Sequence, residues 1–317
     1  MLWLLLLLFA DQFDTAFRAG LIALNQNDLR TAESQLEEAS KLQPRDPRVW
    51  LALAQTYWKL HKKEPAQAAA SRAEEFTTDA AIFRGLAVYY TETTNYRKAA
   101  ELLHSAIRRN PFNESYYFEL AQLYLNQQNF PAALETLSAG RENFDKSAQL
   151  TLAAGVAYYG LRRFSEAIDA FLRTIELDPG VEQPYVFLGR MLDQAEERLP
   201  RIRAAFAAFS GTNTYLSNFL YGKCLRSAGE RQQSETLLRR SIEQNEAFWE
   251  SHFELGALLD ELGMFADAAR EIRRSIELNP TDPVPHYRLA RLYDRLSKPA
   301  EARAERALHA KLSAAVK

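Results

Sequence analysis

The chain has 317 residues, 47% hydrophobic and 25% charged, which is enough apolar material for one elongated domain or two compact ones. A formal net charge of −2 lacks the basic excess that a dedicated nucleic-acid binder uses against phosphate repulsion. Only 12 Gly and 12 Pro argue against a turn-dense β fold, and a single cysteine, Cys224, excludes an internal disulfide framework or a cysteine-rich metal site.

The first feature in chain order is MLWLLLLLFA, an unbroken apolar run ahead of DQFD. It is far shorter than the roughly 20 residues a helix needs to span a bilayer. Its length and leucine content fit the apolar region of a secretory signal, with Ala10 as the last residue before cleavage. No Lys or Arg precedes it, and Leu8 is larger than the residue preferred two places before that site. Residues 1–12 are therefore read as a signal-like segment, which implies a periplasmic or secreted protein and a route to membrane proximity without a transmembrane span. The alternative is an apolar cap on the first repeat of a cytoplasmic protein. No Cys follows the run, so a lipoprotein anchor is unsupported.

From Phe13 to about residue 316 the sequence repeats itself with a period of 34. Units begin at Phe13, Pro47, Ala80, Glu114, Ala148, Glu182, Tyr215, Trp249 and Pro283. The eighth position of each is small: Gly20, Ala54, Ala87, Ala121, Gly155, Gly189, Gly222, Gly256 and Ala290. The twentieth is Ala32, Ala66, Ala99, Ala133 and Ala167, then Arg201 and Ser234, then Ala268 and Ala302. Each unit predicts two antiparallel helices that approach where these small residues face each other. Large residues at positions 4, 7, 11 and 24 fill the space beside that contact at helical spacing. Pro44, Pro111, Pro179 and Pro280 end second helices, because proline cannot continue the hydrogen-bond ladder. The sixth unit departs: Arg201 replaces the small residue and SGTNT (210–214) reads as a loop, either a bend or plain degeneracy. The last helix, from residue 300, is charged over much of its surface, as a solvent-facing cap would be.

These features resemble the tetratricopeptide repeat family. Its signature is matched by Gly155, Tyr158, Ala167, Phe171 and Pro179, and again by Leu255, Gly256, Ala268 and Pro280. The resemblance implies an all-α, right-handed superhelical solenoid of about nine helix-turn-helix repeats over residues 13–316. It also implies a concave groove lined by first helices. Carried onto this sequence, the groove presents Leu21, Leu24, Leu51, Gln55, Trp58, Arg84, Val88, Phe118, Gln122, Leu125, Val156 and Tyr159, a mostly apolar set. Further along, Arg190, Lys223, Arg226, Arg291 and Arg295 give a positive stretch interrupted by Asp193, Asp260, Glu261 and Asp294. The alternative for several of these residues is packing between adjacent first helices. The carboxylate clamp of chaperone-tail-binding members is absent, since the ninth position never holds Asn.

No catalytic, cofactor or metal constellation stands out. The histidines His61, His104, His252, His286 and His309 are dispersed, and His252 and His286 occupy a position that normally holds a packed aromatic. GLRRF and AGERQQ read as inter-helix turns, and Cys224 as a small buried hydrophobe. The expectation is a non-catalytic scaffold or adaptor, in an envelope or secretory assembly, that binds a protein segment or helix. An accessory subunit of an enzyme complex and an RNA-binding helical-repeat protein are the rivals.

Overall fold

The computed structural model describes the backbone of residues 2–315 and the side chains of residues 12–315 apart from that of residue 196. The described residues form α-helices and short 3₁₀ turns, with no strand among them. The side chains of the apolar run, Ala10 included, lie outside the described residues. No helix among the described residues is long and apolar enough to cross a membrane.

The chain divides into two compact units, Met1–Leu161 and Arg162–Lys317. The first holds α1 (Leu2–Asn25), α2 (Leu29–Leu42), α3 (Pro47–Lys59), α4 (Lys63–Phe76), α5 (Ala80–Glu92), α6 (Tyr96–Arg109), α7 (Glu114–Asn126), α8 (Phe130–Asn143) and α9 (Ala148–Gly160). The second holds α10 (Phe164–Leu177), α11 (Gln183–Arg190), α12 (Leu199–Ser210), α13 (Tyr215–Ser227), α14 (Arg231–Gln244), α15 (Trp249–Glu261), α16 (Phe265–Leu278), α17 (Pro283–Arg295) and α18 (Pro299–Ala315). Within each unit successive helices pair and pack, as the repeat predicts.

Local chemistry sets the helix boundaries. Asp46, Asp79, Asn113 and Asp282 each accept a backbone N–H two residues on, so first helices start with a satisfied donor. Every first helix except α11 then closes through a left-handed residue. In α3, His61 has φ 59°, its N–H donates to Trp58 O at 2.9 Å, and Lys62 N–H reaches back to Tyr57 O at 2.8 Å. Thr94, Gln128, Gly229, Gly263 and Ser297 repeat this geometry, which satisfies carbonyls the helix end would otherwise orphan.

The small eighth position makes the tight contact inside a repeat. A Cβ at Gly20 would stand 2.6 Å from Leu36 Cγ, and one at Gly256 would stand 2.7 Å from Ile272 Cδ1. Opposite, Ala32, Ala66, Ala99, Ala133, Ala268 and Ala302 are fully buried. Ser234 fits the same slot because its hydroxyl donates to Gly222 O at 2.8 Å. Between repeats, a donor at the fourth position ties to the end of the preceding repeat. Trp50 Nε1 donates to Pro44 O at 2.7 Å and the Tyr185 hydroxyl to Pro179 O at 3.1 Å, while His252 Nε2 lies 3.2 Å from Glu246 O.

The sixth repeat corrects the expectation placed on Arg201. α11 is only eight residues long, and 3₁₀ turns at Leu192–Gln194 and Glu196–Arg198 follow it. α12 then starts one residue later in the repeat than the other second helices, which turns Ile202 inward and Arg201 outward. Arg201 is exposed and pairs with Glu176 at 3.0 Å and Asp169 at 3.5 Å. With a bulky Ile202 inside, α12 cannot approach as an alanine-bearing helix does. Gly189 is used by α13 instead, where a Cβ would stand 2.5 Å from Leu220 Cδ2. The expected loop survives as residues 211–214, with Thr214 and Ser217 forming a reciprocal cap that starts α13.

Candidate protein-interaction surface

In the first unit the groove candidates separate into core, inter-helix packing and open surface. Leu24 corrects one expectation: it is buried at 8% exposure, because its side chain turns into the core of the first repeat. Leu21 is half-buried against the same core. Leu51 fills the space left by Gly85 on α5, where a Cβ would collide with Leu51 Cδ2, so it is a packing residue between neighbouring first helices. Half-buried Trp58 meets Tyr89 edge-on at 6.4 Å. Gln55, Leu125, Val156 and Tyr159 are half-buried as well.

Val88, Phe118 and Gln122 come together. With Ala87, Thr91 and Leu123 they line a cleft of about 250 Å³ between α5 and α7. Val88 is 41% exposed, high for an aliphatic side chain inside a helical repeat. The floor is apolar, whereas Glu92, Glu119 and Asn126 bring polar groups to its wall. Arg84 Nε donates to both Glu119 oxygens at 2.8 and 2.9 Å, which bridges α5 and α7 and neutralises that carboxylate. Gln122 Nε2 donates to Asn126 Oδ1 at 3.0 Å along α7. The cleft thus offers apolar contact with polar groups around it, the usual composition of a side-chain anchor site.

The second unit brings its expected cations together but pairs most of them. Arg226 bonds Glu254 at 2.9 Å and Glu261 at 2.5 Å, and Lys223 lies 3.5 Å from Glu254. Burial opposes the Arg226 charge, but Glu254 and Glu261 outweigh it and hold the guanidinium above its ordinary range. Arg295 pairs with Asp260, and Asp294 with Arg306. The positive stretch is therefore largely a lattice of ion pairs across α13, α15 and α17. Arg190 is exposed and its guanidinium lies 5.9 Å from the Phe187 ring centroid. Arg291 is exposed on α17, and Asp193 is exposed in the turn after α11.

His252 and His286 are buried, and each is tied to a carboxylate of its own repeat: Glu271 at 2.8 Å and Glu305 at 2.7 Å. The His252 hydrogen bond holds Glu271 below its ordinary carboxylate range in spite of burial. Burial pushes the Cys224 thiol up to about 11, which leaves it protonated and unreactive at neutral pH. Sequence reasoning missed buried Glu254 and the stacking of Arg288 on Phe253 at 5.3 Å. Both Glu254 and Arg288 sit at the sixth position of their units, where the sequence shows a charge but not its partner.

Paired helices with a small-residue contact, stacked repeat on repeat, define a helical-repeat protein of the interaction-scaffold class. Tetratricopeptide-repeat models match residues 17–81, 84–146, 118–182 and 222–283, and a second such model matches 272–304. The chain belongs to the tetratricopeptide repeat family, whose members are generally non-catalytic scaffolds that bind protein or peptide partners. No curated protein sequence matches it. Among solved structures it is similar to the C-terminal part of a TPR repeat-containing protein from Cytophaga hutchinsonii. That match has 17% identity and TM-score 0.55, and covers 85% of this chain and 97% of that one. It is also similar to a chain of the APC/C hetero-tetramer Cut9-Hcn1, at 16% identity and TM-score 0.52, covering 91% of this chain and 57% of that one. These likenesses are likenesses of fold.

Proposed function

We propose that this chain is a non-catalytic adaptor whose first unit holds a segment of a partner protein by an apolar side chain inserted between α5 and α7. The observation that carries this is the cleft itself, where Val88 stands exposed beside Phe118 over an apolar floor. Family membership supplies the class of partner, and the cleft supplies the contact. Gln122 and Asn126 at its edge have the donors and acceptors to engage a peptide backbone. A photocrosslinking residue placed at Val88 tests this in cells. The expected result is discrete protein adducts from that site and none from the exposed Arg97 on α6. Equal labelling from both sites, or none from Val88, overturns the cleft as the contact.

We further propose that the adaptor works in an envelope or secretory compartment, supported by the apolar run at 1–10 and its length. N-terminal sequencing of the mature protein decides this, since an intact Met1 contradicts a cleaved signal.

A further inference from the structure

Of the carboxylates on α15, Glu254, Asp260 and Glu261 are taken, whereas Glu250 in its first turn has a buried Oε2 with no partner among the described residues and is pushed toward its neutral form by burial. Glu254 serves Lys223 and Arg226, Glu261 serves Arg226, and Asp260 serves Arg295. Arg288, half-buried between the two helices, has no hydrogen bond or ion pair with any described residue; its guanidinium lies over the face of the Phe253 ring. Arg291, one turn further along α17, is exposed and equally without an anion. Burial, and next the like charge of Arg226, push the Arg288 guanidinium below its ordinary range, against the more distant pull of Glu254, Asp260 and Glu261. A half-buried guanidinium with no acceptor is costly unless something outside the chain supplies one. Beside it, Phe253 and Trp249 are half-buried aromatics with ring centroids 6.4 Å apart.

We propose that the α15–α17 face of the second unit, centred on Arg288 and Arg291 beside Phe253 and Trp249, docks an acidic segment of a partner protein. The segment places a carboxylate on the guanidinium pair and an apolar side chain against the aromatic rings. Charge complementarity selects this occupant, because Arg288 and Arg291 have no anion among the described residues while the neighbouring carboxylates Glu254, Asp260 and Glu261 are already paired and leave little to attract a basic segment. The planar fork of Arg288 suits a carboxylate in two-point contact. The site assumes only that the chain binds proteins. It lies in a different unit from the cleft at Val88, so the two readings fail separately.

The test uses the full chain and a fluorescein-labelled peptide of repeating Glu-Leu-Glu-Gly, with a Lys-Leu-Lys-Gly peptide as the charge-reversed control, read by fluorescence anisotropy. The acidic peptide is expected to bind and the basic one not. Arg288→Leu keeps an apolar cover on Phe253 but removes the donors, and is expected to weaken binding by about tenfold to a hundredfold. Arg288→Lys should fall between, since it keeps the charge and loses the fork. Arg291→Gln, on exposed surface, gives the same direction of change should Arg288→Leu lose its helical circular dichroism. Arg97→Gln, on the exposed face of α6 in the first unit, should leave acidic-peptide binding unchanged. Failure of the wild-type chain to bind the acidic peptide overturns the proposal. So does equal binding of both peptides, unaltered binding by folded Arg288→Leu, or equally strong competition by inorganic polyphosphate.

Discussion

The residue that closes every first helix but α11 is left-handed whether or not it is glycine. Gly229 and Gly263 adopt that backbone without a Cβ penalty, whereas Thr94, at φ 62°, carries a β-branched side chain there. Left-handed backbone costs an L-residue about 1–2 kcal/mol, and glycine returns part of the gain as unfolded-state entropy. Thr94→Gly is therefore expected to stabilise the first unit by roughly 0.5–1 kcal/mol, read as a higher urea midpoint at unchanged slope. Glu271 belongs to the same scale. Its carboxyl is held low in the folded protein, chiefly by His252, so its contribution is complete above the unfolded value near 4.5 and drains away as pH falls through the folded value. Glu271→Gln should lower the second unit's stability near neutrality, leave it little changed below the folded value, and so flatten the acid limb between them. A profile as steep as wild type would show that other carboxylates carry that limb.

Helix pairs test a different balance. Gly256→Ala gains helix propensity of about 1 kcal/mol, yet the new methyl meets fully buried Ile272, and overpacking costs about 1–3 kcal/mol. The steric term wins because Ile272 has no free space to retreat into. The substitution should lower the melting temperature, and adding Ile272→Val, which removes Cδ1 but keeps Cγ1 at the same 2.7 Å, should recover only part of the loss. Ion pairs between first helices differ by burial in the same way. The Glu254 side chain is 7% exposed and its partner Arg226 18%, whereas Arg84 and Glu119 are 49% and 27% exposed. Glu254→Ala leaves a half-buried cation short of its partner and should cost about 3 kcal/mol. Glu119→Ala should cost about 1 kcal/mol or less. Equal losses in a denaturation series would contradict this ranking.

For the molecule as a whole, a net charge of −2 leaves little long-range field, so recognition rests on short-range contacts within each unit. The first unit offers an apolar cleft and the second a face with two unmatched guanidinium groups. A partner segment held at Val88 and Phe118 should change affinity by less than about threefold between ~50 mM and ~500 mM salt. Binding at Arg288 should weaken markedly over the same range.

Sequence alone determined the nine-fold period, the helix pairs, the prolines that end second helices and the small contact positions. Those features depend on side-chain size and on backbone hydrogen bonds only a few residues apart, so the small Gly256 and the helix-ending Pro280 are written locally. It also named Val88, Phe118 and Gln122, which the fold brings to one cleft. Tertiary structure alone decided that Leu51 serves Gly85, that Leu24 turns inward and that Ile202 displaces Arg201. It also decided which cations find an anion. Arg226 meets Glu254 and Glu261 across 28 and 35 residues of chain, while Arg288 meets an aromatic ring. Long, flexible side chains take whichever neighbour the stacking of repeats puts in reach, and a repeat pattern records that a charge is present without recording what faces it.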